Sequence, residues 1–340
     1  MPLNLEPFRT LSSAPPLGPA RSRGGNALVI ALINNMPETA LEATEKQFSR
    51  LLDAASGSNV VRLRLASLPE VPRGNAGLAR LEGGLYWPID ELMKEPLDAL
   101  IVTGTEPCAT RLSDEPYWER FKALLCWANA NTKSSVWSCL AAHAAVELLD
   151  GIQRRRLEHK RCGVFSHEIR SDEALVRGLE APLRMPHSRW NDLPVESLWR
   201  AGYTLVSSSL DNGADLFTLQ RDSLLVFFQG HPEYEETTLL KEYRRDIGRF
   251  LRGQQSHYPT LPHDYFSPAA LKLLDAFQLR AQAAPSIELL AQFPAAAVGA
   301  GLANTWRRGA TQIYRNWLAL LGPPETAVTV PTNDVSKFRV

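Results

Sequence analysis

The 340-residue chain holds only four cysteines, Cys108, Cys126, Cys139 and Cys162, and no two of them form a C-x-x-C pair. Such scattered positions exclude a disulfide framework and fit free thiols in a reducing compartment. Charge of one sign is also lacking, because 37 basic residues balance 37 acidic ones. No electrostatic footprint for nucleic acid or an anionic membrane follows from such a balance. Long apolar runs are missing too: nothing approaches the ~18 residues of a membrane span, and the opening residues lack the apolar core of a signal peptide. What remains is 44% hydrophobic content, ample for a buried core. The expectation is a cytoplasmic globular protein that acts on small molecules.

Residues 1–25 carry five prolines and three glycines without a period, which reads as an irregular N-terminal arm. From 26 to 253, short apolar runs alternate with amphipathic stretches. Ala27 to Ile33 is the pattern of a strand buried on both faces, and it ends at Asn34, Asn35, Met36 and Pro37. Leu41 to Ala55 has helical spacing. Val60–Ala66, Leu97–Thr103, Ser134–Ser138, Thr204–Ser208, Leu216–Gln220 and Leu224–Gln229 read as further strands. Helices are expected over Trp118–Asn129 and Thr237–Arg252. The sum is an α/β fold, a parallel sheet flanked by helices. Residues 254–340 are Pro- and Ala-rich with one helix expected over Thr305–Leu321, and should pack on the same domain as a C-terminal extension. Ligands bind outside the carboxyl ends of such strands, where Asn34 to Met36, Thr103 to Thr105, and Ser138 with Cys139 converge.

Val136 to His143 (VWSCLAAH) reads as strand, sharp turn and helix, which puts Cys139 at a nucleophile elbow. A thiol there feels the helix N-terminus, which favours thiolate. The amide of Leu140, with Gly104 on the facing loop, is the expected oxyanion site. A cysteine at a strand end is by itself more often a small buried hydrophobe. The second piece is Gly230-His231-Pro232-Glu233 after another apolar strand, where an imidazole can reach the elbow and a carboxylate can bond its other nitrogen. Cys139 with His143, and His159 with Cys162, make no four-ligand zinc pattern, so no metal is expected.

A cysteine elbow followed about ninety residues later by Gly-His-Pro-Glu resembles the class I glutamine-amidotransferase-like (flavodoxin-like) domains. Five further matches narrow this. They are Asn34 with Met36-Pro37; Val102-Thr103-Gly104 with Tyr117-Trp118; Lys160 with Gly163-Val164; Pro186-His187-Ser188-Arg189; and Gly230 to Tyr234 with Glu242 and Arg245. Together, over Ala27 to Leu321, they resemble the homoserine O-acyltransferases of that fold, the homoserine O-succinyltransferase family. The resemblance implies transfer of an acyl group from succinyl-CoA or acetyl-CoA to L-homoserine, in methionine biosynthesis. It makes Cys139 the acylated nucleophile, His231 the base and Glu233 its partner, with no resident cofactor and a homodimeric state. It further implies that Ser188, Arg189, Glu242 and Arg245 hold the amino acid and that Lys160 lies near the substrate or coenzyme A. The basic residues around it, Arg154, Arg155, Arg156 and Arg161, fit either a surface run or a site for coenzyme A phosphates.

The match departs at two places. The family carries a lysine soon after Met-Pro, where this chain has Glu38-Thr39-Ala40. Where the family uses glycine for succinyl and glutamate for acetyl donors, this chain has Cys108, small and neutral, which favours succinyl. Glu106, two residues earlier, would favour acetyl if the loop shifted. Serine as acceptor, a glutamine amidotransferase that releases ammonia, and a non-catalytic scaffold are the alternative readings.

Overall fold

The computed structural model describes residues 3–8 and 27–322 of the chain. Eleven strands among them join one sheet. They are β1 Leu3–Leu5, β2 Ala27–Ile33, β3 Val60–Ala66, β4 Tyr86–Trp87, β5 Ala99–Val102, β6 Ser134–Ser138, β7 Arg155–Ile169, β8 Leu183–Asp192, β9 Thr204–Ser209, β10 Gly213–Gln220 and β11 Leu224–Phe228. Their order is β1-β3-β2-β5-β6-β11-β10-β9-β7-β8, with β4 beside β3. Pairings from β1 through β11 are parallel, whereas β10, β9, β7 and β8 continue the sheet antiparallel. The expected parallel sheet is therefore one half of a mixed one. The cause is local: the turns joining β9, β10 and β11 are far shorter than the dozen or more residues a parallel crossover needs, so these strands fold back on each other.

Each parallel strand sends alternate side chains to two separate cores. Ala31 and Ile33 of β2, Leu100 and Val102 of β5 and Trp137 of β6 face one core, which the helices Trp118–Asn131 and Leu140–Asp150 cover. Leu28, Ile30, Leu32, Ile101 and Val136 face the other, under the helices Glu38–Ser56 and Arg307–Leu321. A third cluster joins the helices Thr238–Leu251 and Pro268–Ala283.

The last helix thus completes the main core. Trp317 within it is 1% exposed, and its indole N–H donates to Ser134 Oγ at the start of β6, 2.9 Å away. Trp317→Ala is expected to destabilise the protein by about 3–5 kcal/mol, the usual cost of truncating a buried tryptophan. Urea unfolding checks this; a midpoint unchanged from the parent would refute the packing role.

Two expectations change. The arm is not irregular throughout, because Leu3–Leu5 pairs with β3 and Glu6 accepts from Arg62 and from Arg64 Nε at 2.9 Å. The rest of the arm, and the tail from 323 on, lie outside the described residues. The region after 254 also holds a second long helix, Pro268–Ala283, started by Ser267, whose hydroxyl accepts from Ala270 N at 3.2 Å. Its buried stripe is Ala270, Leu274, Phe277 and Ala281; with alanine at half the positions, the periodic signal is weak. No helix among the described residues is long and apolar enough to cross a membrane.

Candidate active site

β6 and β11 lie side by side with Ser138 opposite Phe228, so whatever follows each strand emerges at the same edge. Cys139 follows the first and Gln229-Gly230-His231 the second. Cys139 takes φ 53°, in the left-handed region that side-chain-bearing residues avoid at a cost of about 1–3 kcal/mol. Its amide donates to Phe228 O at 2.7 Å, and the helix Leu140–Asp150 begins at the next residue. That is a tight elbow, with the thiol partly exposed.

The His231 ring lies beside the Cys139 sulfur, close enough to feel it, and its Nδ1 lies 2.9 Å from Glu233 Oε1. Burial works against a charged ring, but the Glu233 carboxylate and the Cys139 sulfur outweigh it and hold the imidazolium well above its ordinary range. At neutral pH the ring therefore keeps its proton. Tyr234 stacks on His231 with ring centroids 4.3 Å apart, and its hydroxyl donates to Glu242 Oε1 at 2.6 Å. Glu242 Oε2 and Glu233 Oε2 are buried with no partner among the described residues.

Gly104 lies two residues past β5, at the start of the loop that follows it, and presses on the elbow. A Cβ there would lie 2.9 Å from Leu140 N and 2.8 Å from Leu140 Cβ. Only glycine leaves room for a substrate oxygen at that amide. Gly104→Ala is expected to lower kcat by about 10²-fold, the scale of losing one oxyanion donor, and to lower the melting temperature as well, because the clash is with the backbone of the elbow. Steady-state rates test it, and a normal kcat would remove Leu140 from that role.

Lys160 is nearly buried and its Nζ lies 2.6 Å from Asp246 Oδ2. Burial opposes its charge, yet Cys162, Glu242 and Asp246 beside it hold the ammonium above its ordinary value. Arg245 shares Asp246 through its Nε at 3.1 Å and is otherwise half exposed, with both terminal nitrogens free of protein partners among the described residues. Ser188 is half-buried, opposite Cys162 in the β7–β8 hairpin.

Arg189 departs from expectation. It is 3% exposed, and its donors are already engaged: Nη1 by Asn191 O at 2.7 Å and Asp192 Oδ1 at 2.8 Å, Nη2 by Asn212 O at 2.8 Å, and Nε by His187 Nδ1 at 3.2 Å. A guanidinium so occupied anchors the hairpin rather than gripping a substrate carboxylate.

The donor loop is pinned at two points. Glu106 accepts from Arg249 Nη2 at 2.7 Å, and the Cys108 thiol donates to Glu115 Oε2 at 3.0 Å, which pushes the thiol up. Around Asn34 to Met36, a cation does stand close by: Arg73, whose Nε and Nη2 donate to Met36 O and Asn34 O. Nothing in the local sequence pattern points to it. The basic run belongs to β7 and its approach. Arg155 pairs with Asp192, Arg156 lies over Trp190, and Arg161 donates to the carbonyls of Asn212 and Asp211. An 830 Å³ cleft there is lined by Arg155, Arg161, Arg170 and Trp199; Cys139, His231 and Glu233 lie outside it.

The sequence model of the family Homoserine O-succinyltransferase matches residues 18–327. The chain belongs to that family. Homoserine O-succinyltransferase from Rhodopseudomonas palustris is 48% identical over 89% of this chain and 91% of its own length. The protein of the same name from Bradyrhizobium japonicum is 43% identical over 91% of this chain and 94% of its own. Among solved structures, a glutamine amidotransferase from Thermotoga maritima aligns at 12% identity with a TM-score of 0.48, covering 88% of this chain and 99% of that one.

Proposed function

We propose that the chain is a homoserine O-succinyltransferase that works through a thioester on Cys139. The observation that carries this is the Cys139–His231–Glu233 line at the elbow, in a member of this family. Cys139 sulfur attacks the thioester carbonyl of succinyl-CoA, and the oxyanion forms against the Leu140 amide beside Gly104. The carbon–sulfur bond to coenzyme A breaks, and the departing sulfur takes the proton held by His231. The homoserine hydroxyl then attacks the acyl-cysteine, His231 takes its proton, and Cys139 leaves as the ester forms.

Glu242 Oε2, buried and unpartnered, suits the ammonium of the acceptor, while the free fork of Arg245 suits its carboxylate. Lys160 shares Asp246 with Arg245, and Ser188 sits opposite Cys162 on the neighbouring strand. The pairing of Glu106 with Arg249 offsets its negative charge, which supports the longer, anionic succinyl group next to Cys108. Glu242→Gln is expected to raise KM for homoserine by about ten- to a hundredfold, the worth of a charged hydrogen bond, with a smaller change in KM for the donor. An unchanged homoserine KM would move the ammonium elsewhere.

The decisive experiment is intact mass after incubation with succinyl-CoA or acetyl-CoA alone. A succinyl adduct on Cys139, discharged by homoserine, is the expected result. An acetyl adduct alone would replace the donor, and no adduct from either, with ammonia released from glutamine, would replace the reaction.

A further inference from the structure

Beneath the loop that carries His231 lies a fully buried group that this reaction does not use. It comprises His167, His187 and Asp215, whose ligating atoms lie within 4.8 Å of one another. The composition suits a transition metal, but the hydrogen bonding argues against one. Arg189 Nε is only ever a donor, and it lies 3.2 Å from His187 Nδ1. That nitrogen therefore holds the lone pair, so in a neutral ring Nε2 carries the hydrogen. Burial keeps the ring neutral. Nε2 thus faces Asp215 Oδ1, 3.4 Å away, as an N–H group short of a formed hydrogen bond, and not as a ligand.

Asp215 is gripped from several sides and passes the grip on. Its Oδ2 accepts from Ser207 Oγ at 3.1 Å, its Oδ1 from Gly230 N at 3.1 Å, and its carbonyl from Gln229 N at 2.8 Å. The next residue, His231, donates its own N–H to Pro186 O at 2.8 Å, and Pro186 is the neighbour of His187. A Cβ on Gly230 would lie 2.4 Å from Met185 Cγ and 2.7 Å from Asp215 Oδ1, so only glycine fits there. Both amides before the histidine's own are thus held by one residue of β10, and the histidine's own by β8.

We infer that Asp215, held by Ser207 and flanked by the His187 ring, is a positioning residue that fixes the backbone of His231 so that its ring meets Cys139. The inference rests on the reading of Cys139 and His231 as the reacting pair. Asp215 touches no substrate; it acts through Gly230.

The test compares Asp215→Ala with Asp215→Asn, and His187→Leu with His187→Gln, the second of each pair keeping the hydrogen-bonding group. Two readouts apply: iodoacetamide labelling of Cys139 relative to exposed Cys126 in the same molecule, and kcat against KM for homoserine. Asp215→Ala and His187→Leu should slow Cys139 labelling and kcat by about tenfold or more, since small misplacements of reacting groups carry such costs, with KM little changed. Asp215→Asn and His187→Gln should restore most of both. If Asp215→Ala does not fold, the His187 pair carries the comparison. Labelling of Cys139 unchanged in Asp215→Ala or His187→Leu, or no rescue by the conservative variants, would overturn the inference. So would a stoichiometric metal in the purified wild type by plasma mass spectrometry. If wild-type Cys139 is labelled no faster than Cys126, the catalytic reading itself fails, and the inference with it.

Discussion

Replacing Cys139 with alanine is expected to abolish the acyl adduct and to lower kcat/KM by about 10⁴-fold or more, the scale seen when a covalent nucleophile is removed from a triad. Alanine carries a Cβ like cysteine, so the strained φ of 53° at the elbow is neither relieved nor worsened. The fold should therefore survive, and the loss should lie in chemistry alone. Intact mass and steady-state rates on the same sample measure both. A variant that still turned over within about tenfold of the parent would show that homoserine attacks succinyl-CoA directly, without the two-step barrier division that covalent catalysis provides.

Glu233→Gln carries the second large effect, a fall in kcat of about 10²–10⁴-fold by analogy with removing the orienting carboxylate of a triad. The sign of the pH effect follows from what holds the His231 proton. Burial depresses the imidazolium, and it is the Glu233 charge, with that of Cys139, that reverses this. With glutamine in place, one of those two charges is gone and the balance moves toward burial. The ring should lose its proton at lower pH than in the parent. The pH at which Cys139 labelling reports the imidazolium should accordingly move to the acid side, while Nδ1 keeps a neutral acceptor in the amide oxygen of the introduced side chain. A labelling profile that does not move would separate Glu233 from the electrostatics of the pair.

Much of this was legible in the chain because apolar runs and chemistry coincide. β3 and β6 fall on the residues that the apolar pattern marks, and the helix Thr238–Leu251 differs from its expected range by one residue at each end. Cys139 and His231 each follow such a run, so their convergence could be read once the strands were placed side by side. The β7–β8 hairpin was not legible. Arg155 to Lys160 holds four charges in six residues and sits at the sheet's margin, exposed or half-exposed throughout, so it shows no apolar alternation. Arg189 was misread for a related reason: a motif gives the residue but not the direction of its side chain. Asp192 and the carbonyls of Asn191 and Asn212 decide that direction, and Asn212 arrives from a turn beyond β9. Arg73 and Asp215 gave no signal, since each works through backbone groups that any sequence supplies.

The pairing of β6 with β11 has a consequence for how such a protein diversifies. The spacing of nucleophile and base is set by one hydrogen-bonded strand pair, about 4.8 Å apart, and not by the roughly ninety residues between them. Those residues leave at Leu140, build the hairpin, β9 and β10, and return at Leu224 as a closed excursion. Its length is free to drift as long as the two strands stay neighbours and Pro186 and Asp215 keep their hold on the backbone of the His231 loop. Bond-making is thus inherited by adjacency, while in the proposed reaction the alcohol is chosen from two stretches at once: Lys160 and Ser188 on the detour, Glu242 and Arg245 on the helix after it.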